Sequence, residues 1–391
     1  MDFALNEEQR MLVDEIKRFC EREYPVEKLM KDDEEERMPI EFFKRWGELG
    51  WVALPFPKEY GGLGGNIMDE YLICESLSRY GGGLGALYFQ TVCFGGKTLE
   101  YSGSEEQKQN YLRKLCSGDL LCSLACTESE GGTDILGACK TTAVQDGDEF
   151  VINGEKMFIT GADAADYLMS VVRTSKPDPE KKSAGFSLIM VPARAPGVQV
   201  NLLRKHGGHV MSTAEIFFDN VRVPVSNLLG ERDRGVKYLV KTLNNERVLI
   251  AAICNGSAMA TFALALNYAK QRMAFGRVIG QFQIIQSYLA DVSTEIDASR
   301  LLSYKAAWML SQGEPAISES AKAKMYAAEM FVKTAQVGMR IFGGAGWLKE
   351  NAIGRAYRDS VLFLMVPISN EMCKNLIAMV EFGLPPSYKM F

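Results

Sequence analysis

The stretch Thr127-Glu128-Ser129-Glu130-Gly131-Gly132-Thr133-Asp134 sets two glycines among hydroxyl side chains. Glycine lets backbone N–H groups come close to a ligand, and the hydroxyls of Thr127 and Thr133 can hydrogen-bond what lies there. On its own the segment also reads as a plain turn. Downstream, Met157-Phe158-Ile159-Thr160-Gly161-Ala162 ends an apolar run. Strand alternation puts Phe158 and Thr160 on one face, an aromatic and a hydroxyl presented together, although an ordinary strand edge has the same pattern. Arg272, within Tyr268-Ala269-Lys270-Gln271-Arg272-Met273-Ala274-Phe275-Gly276-Arg277, is suited to pairing with phosphate bidentately or, more plainly, to capping a helix in solvent. His206 and His209 have H-x-x-H spacing in a Gly-rich loop with no acidic or thiol ligand beside them, which disfavours a metal. The nine cysteines are scattered singly without a C-x-x-C pair and read as reduced, mostly buried thiols.

These residues need elements to position them, and the hydrophobic period changes twice along the 391 residues. Up to about residue 120 it is helical: Leu12, Ile16, Phe19 and Cys20 form one stripe behind an Asn6 cap with Gln9 as its reciprocal partner. Ser104 and Gln107 repeat that spacing, Gly118 stops the helix they open, and the Gly61–Gly65 and Gly81–Gly85 pieces read as turns. From about 121 to 230 the period is that of strands, in LCSLAC, EFVINGEKMFIT, YLMSVVRT, GFSLIMVPA and AEIFFDNVRVP, with D-G, N-G and Pro/Gly punctuation between them. From about 231 the helical period returns in long Ala-rich segments, roughly 233–271, 282–311 and 317–341, with shorter ones near 352–360 and 369–382. The expected fold is therefore multidomain α+β: an N-terminal helical domain (1–120), a central antiparallel β-barrel or sandwich (121–230) and a C-terminal four-helix-bundle-type domain (231–391).

Composition narrows the function classes. Apolar residues are 47% and charged residues 24%, the make-up of a fully folded globular chain. Net charge is −5 and no Lys/Arg run is interleaved with aromatics, so nucleic acid is excluded as a partner. No G-x-G-x-x-G follows a strand, which removes the common nicotinamide-binding signature. The acidic amphipathic N-terminus lacks a secretory or transit pattern, and no apolar stretch is read as spanning a membrane, so a cytoplasmic protein is expected.

Domain order and motifs together resemble the acyl-CoA dehydrogenase family over essentially the whole chain. TESEGGTD is similar to that family's T-E-P-G-A-G-S-D stretch, MFITGA to its aromatic-I-T-N-G segment, YAKQRMAFGR with Gln283 to its Y-A-x-x-R-x-x-F-G sequence, and Arg340-Ile341-Phe342-Gly343-Gly344-Ala345-Gly346 to its Q-x-x-G-G-x-G turn. The resemblance implies FAD, held by Cys126, Thr127, Gly132, Thr133, Phe158, Thr160, Ser369 and Glu371. It further implies that Arg272, Phe275, Gln283, Arg340, Gly343 and Gly344 complete the site of a neighbouring subunit, hence a homodimer and commonly a homotetramer. The implied substrate is an acyl-CoA or enoyl-CoA thioester lying against Thr133, Leu243, Arg247, Val366 and Pro367, with electron-transferring flavoprotein as the electron partner.

The resemblance breaks after Arg358-Asp359. Where the family usually carries an aromatic-Glu-Gly-Thr motif, whose glutamate removes the α-proton of the thioester, this chain reads Val366-Pro367-Ile368-Ser369. Proline can neither accept a proton through its side chain nor donate a backbone N–H to the thioester oxygen. Some members place the glutamate instead at the position matching Glu246, in Asn244-Asn245-Glu246-Arg247, so Glu246 is the candidate base; its plainer role is a buried ion paired with Arg247. The expected activity is dehydrogenation of an acyl-CoA, or reduction of an enoyl-CoA, on a cyclic, bulky or activated acyl group. A similarity of MDFALNEEQ and NNERVLIAA to the crotonobetainyl-CoA reductase branch points the same way. The alternative is a non-catalytic homologue that keeps the flavin and the thioester site.

Overall fold

A computed structural model describes residues 4–176, 178 and 183–386. The first helix, Glu7–Glu23, opens on a capping box in which Asn6 accepts from the Gln9 N–H and the Gln9 side chain accepts from the Asn6 N–H. Ser104 and Gln107 form a second such box, and Gly118 follows in the left-handed region at φ 75°. One glycine cluster is not the turn its composition suggests, for Gly82–Phe89 is a helix. Its glycines serve close packing instead: a Cβ on Gly83 would stand 2.6 Å from Val210, and one on Gly85 would strike the Ser78 hydroxyl.

The central region is an eight-stranded, mostly antiparallel sheet of β1 (Cys122–Ala125), β2 (Thr142–Asp146), β3 (Glu149–Thr160), β4 (Tyr167–Arg173), β5 (Phe186–Pro192), β6 (Val198–Leu202), β7 (Thr213–Pro224) and β8 (Leu228–Leu229). The path runs β6-β7-β3-β2-β4-β5-β8, with β1 beside β4 in parallel. Three strands escape the hydrophobic pattern because little of them is buried or they are very short: β2 exposes all but Ala143, β6 has no buried residue, and β8 is two residues long. Asn153-Gly154, which looks like a turn, lies inside β3 at a register shift where Gly154 adopts φ 143°. A second shift between Lys156 and Ile159 distorts the strand at Phe158.

The C-terminal helices span Gly235–Gln271, Gln283–Ser311, Ile317–Phe342, Ala352–Ser360 and Asn370–Phe382. The first is the central helix of the molecule. It carries an 18-residue window of mean hydropathy 1.9, so an apolar stretch of membrane-spanning length does exist, contrary to the sequence reading; 72% of that window is buried inside the protein. Helices apolar all round belong in a core, and this one packs against both the N-terminal helices and its own bundle.

A buried polar lattice fixes its rotation. Asn255 on the central helix donates to Tyr71 Oη and Ser303 Oγ and accepts from Ser299. Tyr71 donates to Glu75, which takes a bidentate pair from Arg300 at 2.9 and 3.0 Å. Planar fork-to-fork pairing of this kind fixes direction as well as distance. Residues on the central helix thus face a set direction.

Candidate active site

The three domains enclose a cavity of about 1590 Å³. One wall comes from the sheet domain. Lys156, fully buried on β3, donates to Glu128 at 2.7 Å and to the Cys126 carbonyl at 3.2 Å. Glu128 also accepts from the N–H groups of Lys140 and Thr141, at 2.6 and 3.1 Å. Burial by itself would raise this carboxyl, but the Lys156 ammonium and those N–H groups hold it at about 2. The buried pair anchors the loop that carries Cys126, Thr127, Gly132 and Thr133 into the cavity wall.

Phe158 and Thr160 line the same wall. Phe158 is 65% exposed and sits at φ 62°, a left-handed conformation unusual for an aromatic residue. A large aromatic held open to a cavity at a strand distortion is a surface waiting for a flat partner. Beside it, a Cβ on Gly132 would meet no atom within 4 Å, so that backbone is open to a ligand. These residues fit a flavin: Phe158 would hold it by ring contact, and Thr160, Thr133 and the open backbone at Gly132 by hydrogen bonds. The Thr127 hydroxyl is turned to the Met157 carbonyl and presents only its lone pairs.

Another part of the lining comes from the central helix and the turn before the last helix. It consists of Leu243, Asn244, Glu246 and Arg247, together with Val366, Pro367 and Ile368. Glu246 is 4% exposed, and its carboxylate receives no hydrogen bond from the described residues. Burial pushes it up to about 8, against the opposing pull of the Arg247 and Lys324 cations. Arg247 donates through Nη1 to Asn244 Oδ1 at 2.7 Å, Asn244 donates to the Pro315 carbonyl at 3.1 Å, and Arg247 Nε is buried without a partner. Two successive cavity-lining residues thus carry a carboxyl that accepts no hydrogen bond and a buried Nε without a partner.

Sequence reasoning missed Lys324. Its ammonium, fully buried on Ile317–Phe342, donates to the Ile368 carbonyl at 2.6 Å and to Asn370 at 2.9 Å, clamping the turn that carries Pro367. The signal was a lysine in register with the buried stripe Ser320, Ala327, Ala328 and Phe331. Glu128, Lys156 and Gln90 were missed as well, because their partners lie far away in sequence. Ser369 lies outside the cavity lining and caps the last helix through the Met372 N–H; Glu371 is exposed on that helix.

A second group of expected site residues is remote from the cavity. Arg272, Phe275, Gln283, Arg340, Gly343 and Gly344 are all exposed, and none lines it. Phe275 is 93% exposed at the tip of a hairpin whose two turn residues, Phe275 and Gly276, have φ 51° and 77°. A Cβ on Gly343 or Gly344 would meet nothing within 4 Å. One chain does not bring this group to its own flavin wall. Of the histidines, His206 lines the cavity, and His209 lies 3.8 Å from Asp33.

Three family models match in succession: acyl-CoA dehydrogenase, N-terminal domain, over residues 6–119; middle domain, over 123–221; and C-terminal domain, over 233–381. The chain is 38% identical over 380 residues to a probable acyl-CoA dehydrogenase, YngJ, of Bacillus subtilis (strain 168), covering 97% of this chain and 99% of that one. It is 32% identical over 374 residues to a caffeyl-CoA reductase-Etf complex subunit, CarC, of Acetobacterium woodii, covering 95% and 98%. A glutaryl-coenzyme A dehydrogenase solved with glutaryl-CoA superposes with a TM-score of 0.94 at 33% identity, over 99% of this chain and 98% of that one.

Proposed function

The chain belongs to the acyl-CoA dehydrogenase family, and on that premise we propose that Glu246 is its proton-transfer residue and that its acyl group is cyclic, bulky or activated. It is an oxidoreductase of CH–CH bonds in acyl-CoA thioesters, and its cofactor is FAD. FAD, when bound, exchanges a hydride with the β-carbon of the thioester. Glu246 then takes the α-proton on a carboxylate oxygen in the oxidising direction, or returns it to the α-carbon in the reducing one.

The charge that develops on the thioester oxygen needs a donor, and Pro367 has no N–H to supply one. Arg247 supports that role through its unpartnered, buried Nε, held in place by the Asn244 bond. Leu243, Phe331, Phe363, Val366 and Ile368 line the same cavity with apolar surface, which excludes water from the reacting carbons. A carboxyl at about 8 is mostly protonated at neutral pH, the form that gives up a proton in the reducing direction. The caffeyl-CoA reductase relative is consistent with that direction and with an electron-transferring flavoprotein as electron partner. The exposed Arg272, Phe275, Gln283, Arg340 and Gly343-Gly344 group serves the flavin of a second copy, making the protein a homodimer at least.

The observation that carries this reading is the buried Glu246, whose carboxyl accepts no hydrogen bond and which lines the same cavity as Phe158 and Pro367, a proline that offers no base. Anaerobic mixing of the yellow holoenzyme with a panel of acyl-CoA thioesters, and of the reduced enzyme with enoyl-CoA thioesters, tests it. Bleaching or recolouring is expected with at least one bulky or activated acyl group, and Glu246→Gln slows it by roughly 100-fold or more while flavin content holds. Near-normal rates in that variant exclude Glu246, and a flavin that never changes colour denotes a binding homologue.

A further inference from the structure

One polar group on the cavity wall is used neither by the flavin-facing strand nor by Glu246. Gln90 is 5% exposed at the start of the π-helical turn Gln90–Lys97. Its amide orientation is set by its partners. Nε2 donates to Ser123 Oγ at 2.7 Å and to the Cys122 carbonyl at 3.3 Å. Ser123 Oγ spends its own proton on the Thr160 carbonyl at 2.9 Å, so it can only accept from Gln90. Gly161, at φ 66°, leaves room for the amide, since a Cβ there would stand 2.5 Å from Nε2. With Nε2 committed to the strands, Oε1 is a buried acceptor with no partner.

Gln90 shares its wall with the proposed base. Cys93, three residues on, lies 4.0 Å from the carbonyl of Thr242, one turn before Glu246 on the central helix. Phe89, Phe94, Leu124 and Leu243 line the cavity beside these segments with apolar surface, and the central helix adds Asn244, Glu246, Arg247 and Ser257. A buried acceptor is costly when left unpaired, and a hydrocarbon cannot pair it. Nor does a carboxylate supply a donor. An ammonium would have to approach Arg247 and Lys324, which already pull on Glu246 as cations. A neutral O–H or N–H meets the acceptor without either penalty.

We propose that Gln90 is a specificity-determining residue, its Oε1 accepting a hydrogen bond from a hydroxyl or neutral N–H carried on the acyl group, so that the preferred substrate is a donor-bearing acyl-CoA and not a plain hydrocarbon one. This rests on the thioester site proposed above and names the class of acyl group that fills it. The experiment measures dissociation constants of the holoenzyme by flavin spectral perturbation for pairs of saturated and hydroxyl-bearing acyl-CoA thioesters of equal chain length, the hydroxyl being walked along the chain, and bleaching rates for the same pairs. At one hydroxyl position the wild type binds the hydroxylated member about tenfold tighter or more, in line with the cost of an unsatisfied buried acceptor. Gln90→Met and Gln90→Leu erase that ratio, chiefly by weakening the hydroxylated member, while Ser123→Ala, which keeps the acceptor, retains it. No hydroxyl preference at any position in the wild type, or an equal preference in both Gln90 variants, overturns the proposal. Should no thioester bleach the flavin, the redox reading fails, and the binding ratio still decides the role of Gln90.

Discussion

Glu246 and Glu128 are two buried carboxyls with opposite fates, and partners decide which. Glu128 collects an ammonium and two backbone N–H groups and stays ionised; Glu246 collects none and is pushed up to about 8. For Glu246 as a base the active form is the carboxylate, so flavin reduction by an acyl-CoA should rise with pH through a limb near 8 that Glu246→Gln removes, as stopped-flow pH profiles will show. Glu128 has a lowered value, so its stabilisation is complete above the ordinary carboxylate range and is lost as pH falls towards about 2. Glu128→Gln leaves Lys156 buried and unpaired and should cost about 3–5 kcal/mol at neutral pH. That deficit should shrink in acid, as denaturant titrations at several pH values will reveal; a deficit independent of pH would contradict the ionised assignment. Glu246 was legible as a family position, whereas the ion pair was not, because Glu128 and Lys156 are 28 residues apart and meet only when the loop folds onto β3.

Among elements, the turn before the last helix matters most, since it holds Pro367 and is clamped from a different helix. Lys324 reaches across to the Ile368 carbonyl and Asn370, and its charge also lowers Glu246. Lys324→Met should therefore do two things: loosen the turn, seen as a raised KM for the thioester, and shift the alkaline limb of flavin reduction to higher pH. Lys324→Arg should restore the limb more than the KM, because it returns the charge without the compact ammonium geometry. An unmoved limb in the Met variant would confine Lys324 to a structural part. The long C-terminal helices were readable because their stripes are long and regular; β2, β6 and β8 were not, because short strands with little buried surface leave no period-two signal.

At the scale of the whole molecule, the proposed oligomer rests on residues that one chain leaves exposed and outside its own cavity. Phe275, 93% exposed, and Trp347, 80% exposed, lie close in sequence to the exposed Arg272 and to Gly343-Gly344, where the proposed second copy would cover them. Light scattering should give a dimer or a multiple of it. Phe275→Asp with Trp347→Asp should yield smaller species that lose FAD on gel filtration, and Arg272→Gln should lose FAD while keeping the assembly. Retention of FAD by a monomeric variant would refute the shared site.

The sequence by itself determined the three-region order, the motifs that resemble the family's and the absence of a carboxylate at Pro367, because each is written in local residue types and spacing that survive without knowledge of contacts. Only the tertiary structure decided which polar groups are satisfied. The Glu128–Lys156 pair, the Lys324 clamp, the free Nε of Arg247 and the lone acceptor of Gln90 all depend on partners brought together from distant segments. The missing base at Pro367 was a fact about one position; whether Glu246 stands ready to replace it depends on burial, and burial is a property of the packed chain.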